Sequence, residues 1–192
     1  GGTGDQEFVN TRAKVHADPE AALRLFMRLG DIVGNLLADQ VVHGGAHAVQ
    51  LFDTWAGLLD EPTYRRFALP ATARAIEVFR QRCPKRTPLI HYAKASGHLH
   101  GAIMELDIDA LSLDWRDNLR AYREAHGERL ALQGNLDPTF MHGSPEAAVS
   151  AAETVLEAAG DAPGYIFNLG HGFAPSARIE CVEAVLRTVE GQ

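Results

Sequence analysis

A chain of 192 residues with 46% hydrophobic content is long enough to bury one core, so a single domain is expected and a disordered or fibrous protein is excluded. The formal charge of −7, without any Lys/Arg-rich block, speaks against a nucleic-acid or anionic-membrane surface and leaves room only for a local basic pocket. Cys83 and Cys181 stand far apart and form no C-x-x-C pair, so neither a zinc knuckle nor a dithiol site is expected, and a reduced cytoplasmic setting fits. No window reaches the roughly 20 apolar residues of a membrane span, and the N-terminus carries no signal-peptide pattern. The chain opens Gly1-Gly2-Thr3-Gly4 without an initiator methionine, as a processed product or a piece of a longer chain would.

Asp18-Pro19-Glu20 supplies an N-cap, a first-turn proline and a first-turn acid, and so predicts a helix. Ala22, Leu25, Phe26, Leu29, Ile32, Val33, Leu36 and Leu37 recur at helical spacing after it, and Gly44-Gly45 closes it. Ala48 to Phe52 reads as a strand with the exit Asp53-Thr54-Trp55-Ala56-Gly57. A helical region begins at Asp60-Glu61-Pro62, is divided by Pro70, and ends near Cys83-Pro84. Further strands are predicted at Leu89–Ala93, Ala110–Leu113, Leu130–Gln133 and Tyr165–Leu169. Helices are predicted over about 97 to 106, around Leu119 to Ala125, from the Ser144-Pro145-Glu146 cap to Gly160, and from Ser176 onward with Ile179, Val182, Leu186 and Val189.

Five strands alternating with helices imply an α/β fold with a parallel sheet, because parallel neighbours need a crossover and each crossover here holds a helix. In such sheets chemistry gathers at the carboxyl ends of the strands. Asp53 and Thr54, Lys94 and Ser96, Asp114, Asn135 and Asp137, and Asn168 and His171 all fall there. His171 stands between Gly170 and Gly172, which let the chain turn and leave the imidazole uncrowded, and an anionic ligand is its natural partner near neutral pH. Asp53 and Thr54 read equally as a turn or as an acid with a hydroxyl, and Asp53 with Asp137 as an acid/base pair or cation site if the fold brings them together. His98 and His100 alternate as a two-histidine metal site does on a strand, but a helix start would turn them apart, so no metal is expected. The phosphate-binding glycine motifs fail: Pro175 falls where Gly170-x-Gly172 would need its third glycine.

Three long motifs carry a resemblance. Gly45-Ala46-His47-Ala48-Val49-Gln50-Leu51-Phe52-Asp53-Thr54-Trp55-Ala56-Gly57, Leu132-Gln133-Gly134-Asn135-Leu136-Asp137-Pro138 and Ile166-Phe167-Asn168-Leu169-Gly170-His171-Gly172 resemble the uroporphyrinogen decarboxylase family, as do Ile90-His91-Tyr92-Ala93-Lys94 and Asp114-Trp115-Arg116. The resemblance implies a TIM (β/α)8 barrel working as a homodimer. It implies removal of carboxyl groups from the four acetate side chains of uroporphyrinogen III, giving coproporphyrinogen III and CO2, with no metal or organic cofactor and with the protonated pyrrole as electron sink. On it, Thr54 matches a substrate-contacting serine or threonine, with Phe52 beside it a further candidate, and His171 matches a histidine that contacts a substrate carboxylate.

Family members have roughly three further strands before this point, so the chain is expected to be a single partial domain, the C-terminal five βα units or so of a barrel. Gly1-Gly2 resembles the turn after the third strand. An arginine-bearing substrate loop, the aspartate placed at the pyrrole nitrogens and a tyrosine would then lie outside this chain, leaving no certain catalytic residue within it and no activity of its own. The substrate carries eight carboxylates, and this acidic chain offers few obvious rim cations, so the outside arginines would supply the complement. Two rival readings are a cobalamin or thiol methyltransferase of the same barrel superfamily, whose zinc-binding cysteine pattern Cys83 and Cys181 do not reproduce, and a porphyrin-binding module without chemistry.

Overall fold

The computed structural model describes residues 7–83, 85–127, 129–161 and 163–191. The opening glycines and Pro84 lie outside the described residues. Two compact units emerge, the first from residues up to Gln50 with Trp55–Leu89 and His98–Ile108, the second from Leu51–Thr54, Ile90–Gly97 and Asp109 onward.

The first unit is helical. Helix α1 (Val9–Ala17) buries no residue, and the lack of an apolar face is why its sequence gave no periodic signal. Helix α2 (Pro19–Val42) starts where expected, Asp18 Oδ1 accepting from Ala21 N at 3.0 Å. Its packed positions are Gly30, Gly34, Leu37 and Ala38, whereas Leu25, Leu29, Ile32 and Leu36 remain exposed. The two glycines admit helix α4 (Leu69–Arg82) closely: a Cβ on Gly34 would stand 2.7 Å from Val78 Cβ. Arg74 to Asp31 at 2.6 Å and Arg82 to Asp39 at 2.8 Å flank this crossing.

The helical region changes its winding just before Pro70 without leaving helical backbone. Short helix α3 (Glu61–Thr63) runs through a π turn at Tyr64–Ala68 into α4, whose first turn holds Pro70. The helix expected over 97 to 106 contracts to a 3₁₀ turn at Gly97–Leu99 followed by α5 (His100–Ile103).

The second unit is built on the sheet, whose strands are β1 (Val49–Asp53), β2 (Leu89–Ala93), β3 (Ala110–Ser112), β4 (Ala131–Gln133) and β5 (Tyr165–Ile166). They lie in the order β1-β2-β3-β4-β5, with parallel pairing from β2 through β5. Strand order that follows chain order without a reversal is the winding of a (β/α)8 barrel; a doubly wound sheet would switch direction. The protein is therefore α/β and forms part of such a barrel.

Strand β5 is shorter than expected, but a parallel bridge between Leu136 and Leu169 prolongs the pairing beyond it. Helix α6 (Leu119–His126) is capped by Asn118, and α7 (Pro145–Ala159) by Ser144, with Gly160 at its end. Helix α8 (Ile179–Glu190) starts three residues after Ser176, behind Arg178, and the Ser176 hydroxyl instead faces His142 Nδ1 at 3.4 Å. Leu136, Met141, Ala148, Ala152, Cys181 and Val185 form the core here, and Phe167 and Leu169 pack against it.

Candidate functional site

Register aligns Tyr92 with Ser112, Ser112 with Gln133 and Gln133 with Ile166 across the sheet. Side chains of a strand repeat their direction every second residue. Two residues beyond this row come Lys94, Asp114, Asn135 and Asn168, all past the carboxyl ends of their strands. Thr54 stands likewise two residues beyond Phe52.

Asp114 ties this rim together. Its buried carboxylate accepts from Ala95 N at 3.0 Å, from Arg116 N at 3.0 Å, and from Arg116 Nη1 at 2.8 and 2.9 Å. Asn135 Nδ2 donates to the carbonyls of Asp114 and Asp117 at 2.9 and 2.8 Å, so the loop leaving β4 holds the loop leaving β3. Asp117 Oδ2 accepts from Asp114 N at 3.0 Å. Burial pushes the Asp117 carboxyl up to about 6.

An aromatic row crosses the same rim. Phe52 meets Tyr92 edge-on at 5.8 Å, Tyr92 stacks with His171 at 5.8 Å, and Trp115 stacks with His171 at 6.3 Å. Tyr92 Oη lies 2.7 Å from the Gly170 carbonyl and 3.1 Å from His171 Nδ1. A carbonyl cannot donate, so the phenol's one proton goes to Gly170 and His171 Nδ1–H donates to the Tyr92 oxygen. The neutral ring then presents the lone pair of Nε2 at the rim. Desolvation, followed by the positive charge of Lys94, lowers the His171 pKa below its ordinary value and favours that neutral form.

Glycine flanks His171 for reasons that the turn argument did not reach. Neither Gly170 nor Gly172 has a positive φ. A Cβ on Gly170 would sit 2.8 Å from Trp115 Cα, whereas one on Gly172 would meet nothing within 4 Å. Gly170 is thus the residue that lets the His171 loop lie against Trp115.

Of the residues singled out in the sequence, Phe52 and His171 meet through Tyr92, and Thr54 stands half-buried at the end of β1 on the same rim. Asp53, next to Phe52 and so on the opposite strand face, has its carboxyl pushed up to about 6 by burial. Asp137 caps the turn Pro138–His142, accepting from Thr139 N and Oγ1 at 2.8 Å, which occupies it structurally. His98 Nε2 faces the Leu59 carbonyl at 2.8 Å, and His100 is buried in α5. Among the described residues no group of three or more His, Cys, Asp or Glu side chains could hold a metal ion.

The few rim cations gather at Trp115. The Arg116 guanidinium lies 3.7 Å from the indole centroid and Lys94 Nζ lies 5.8 Å from it. Sequence reasoning placed Lys94 on the rim and quoted Arg116 without giving it a place there. The alternation that puts Lys94 two residues beyond Tyr92 was the available signal for the first. No described helix is long and apolar enough to cross a membrane.

A profile of the uroporphyrinogen decarboxylase family matches residues 1–192. The protein named uroporphyrinogen decarboxylase in Magnetococcus marinus is 37% identical over 191 residues, covering 98% of this chain and 53% of the relative. That of Chromohalobacter salexigens is 38% identical over 172 residues, covering 89% and 48%. This chain spans about half the length of the curated relatives it matches. Among solved structures, a methyltransferase from Methanosarcina mazei matches 80% of this chain and 44% of its own, with a TM-score of 0.66 and 19% identity, a likeness of fold alone. By its full-length family match and these relatives, the chain belongs to the uroporphyrinogen decarboxylase family.

Proposed function

We propose that the protein to which this chain belongs removes the carboxyl groups of the four acetate side chains of uroporphyrinogen III, giving coproporphyrinogen III and CO2, and that this chain supplies one wall of its substrate site. The observation that carries the reading is His171 at the carboxyl rim, clamped by Tyr92 and Trp115 with Nε2 open, in a chain of this family. His171 receives a substrate carboxylate. A carboxylate needs an N–H, so Nε2 takes up a proton as the substrate enters, and the Nδ1 bond to Tyr92 keeps the ring oriented throughout. Phe52, exposed and backed by the buried Tyr92, offers an apolar wall to a pyrrole ring, and Thr54 offers a hydroxyl to the arm beside it.

Protonation of the pyrrole, which makes the ring an electron sink, falls in this reading to residues in the half of the relatives' length that this chain does not span. The chain alone is then inactive, a partial barrel domain completed by those residues, and the working protein is a cytoplasmic homodimer that uses no metal or organic cofactor. The protein as its gene encodes it, given uroporphyrinogen III under reducing conditions, is expected to release CO2 and to form coproporphyrinogen III. Tight binding of the tetrapyrrole without CO2 release would contradict the reading and favour a porphyrin-binding module.

A further inference from the structure

Lys94 and part of the Arg116 guanidinium are left over from the contacts that hold the fold, unlike other cations of this chain. Arg80, for comparison, is committed to Asp107 and to the Thr87 and Asp107 carbonyls. Lys94 makes no hydrogen bond or ion pair among the described residues, although it is half-buried at a strand end. An ammonium beside an indole face without a carboxylate partner keeps its N–H donors available to an anion. Arg116 engages Asp114 through Nη1 alone, and Nη2 and Nε have no hydrogen-bond partner among the described residues, with the side chain 53% exposed. Its stacking on Trp115 fixes the guanidinium plane, so the remaining N–H groups present a preset fork.

The positive charge of Lys94 and Arg116 reaches the His171 ring, where both hold the pKa down. The acids facing the group are Asp114, committed to Arg116 and Ala95, and Asp117, whose Oδ2 accepts from Asp114 N. The rim thus contains three nitrogen-bearing side chains around one indole, and only one of them is paired with an acid.

We infer that Lys94 and Arg116, gathered on Trp115, form a second carboxylate subsite that grips a substrate arm other than the one received by His171. This rests on the decarboxylase reading above. A substrate with several carboxylates can bridge the two subsites, so that one arm anchors the tetrapyrrole while His171 reads another. Two anion contacts on one ligand also restrict which face and which rotation of the macrocycle enters, which a single histidine could not.

The test is steady-state decarboxylation of uroporphyrinogen III by the protein as its gene encodes it, beside Lys94→Met and Arg116→Lys. Lys94→Met keeps the stem and removes only a charge that the fold does not pair. It is expected to raise KM roughly ten-fold, the loss of one charge-assisted contact, with an unchanged melting temperature and a shallower dependence of KM on salt. Arg116→Lys retains a cation for Asp114 and loses the fork, and should also raise KM at unchanged kcat. Decarboxylation with KM and salt dependence unaltered in Lys94→Met would overturn this inference and leave the decarboxylase reading intact. Absence of decarboxylation by the unsubstituted protein would overturn that reading and the inference with it.

Discussion

Gly170 lies so close to Trp115 that a methyl group on it would stand 2.8 Å from Trp115 Cα, within the backbone itself. Backbone cannot swing away as a side chain can. Gly170→Ala must therefore push the His171 loop off the β3 exit and loosen the Tyr92–His171–Trp115 stack. A cost of about 1–3 kcal/mol is expected, the usual range for overpacking, with loss of substrate affinity. Gly172→Ala, which meets nothing within 4 Å, should be close to neutral in both respects. Thermal melts of the two variants side by side check the contrast.

The hydrogen bond between Tyr92 and His171 fixes the tautomer, and so predicts proton uptake on binding. With Nδ1–H directed at Tyr92 and the pKa lowered by desolvation and Lys94, free His171 is neutral at pH 7. A substrate carboxylate at Nε2 raises that pKa, so binding tightens as pH falls toward the ordinary histidine value of 6.5. Calorimetric titration in buffers of different ionisation enthalpy should show a proton taken up at pH 7. His171→Asn should abolish the uptake, and Tyr92→Phe should weaken binding because the ring loses its anchor.

Asp53 makes stability depend on pH in a direction opposite to most carboxylates. Its folded pKa is raised by burial from 3.8 to about 6, so between those values the folded state holds more protons than the unfolded chain. Stability from this group is therefore present at low pH and declines as pH rises through that window. Asp53→Asn removes the cost of ionising a buried carboxyl. It should raise the melting temperature at pH 8 and leave it nearly unchanged at pH 4, measured on the same protein at constant ionic strength.

The rim was legible in the sequence to an unusual extent because each strand there ends in a polar residue followed by a breaker, as at Asn135-Leu136-Asp137-Pro138 and Asn168-Leu169-Gly170. What stayed hidden depends on contacts between distant segments. Nothing in one sequence says that Gly170 exists for Trp115, that Asn135 clamps Asp114 and Asp117, or that Asp137 is spent on a cap. Helix α2 shows the same limit: Leu25, Leu29, Ile32 and Leu36 announce a helical repeat yet stay exposed, and the face that packs carries Gly30 and Gly34 with Leu37, because small residues let α4 approach.

That glycine face carries its own prediction. Gly34→Ala would place a methyl 2.7 Å from Val78 Cβ and force α2 from α4, costing about 1–3 kcal/mol. Leu29→Ala, at an exposed position of the same helix, should cost less than about 1 kcal/mol. Denaturant unfolding of both variants separates the two faces. A larger loss at Leu29 than at Gly34 would contradict the assignment of the glycine face as the packed one.

The central claim is that His171 receives a carboxylate of the tetrapyrrole at this rim. Its most direct test is the rate of CO2 release from uroporphyrinogen III by the protein as its gene encodes it, compared with His171→Asn at matched melting temperature. Removing the positively chargeable nitrogen should cost about ten-fold or more in kcat/KM, by the loss of one charge-assisted contact. Equal kcat/KM in the two proteins, or no CO2 from either, would contradict the account.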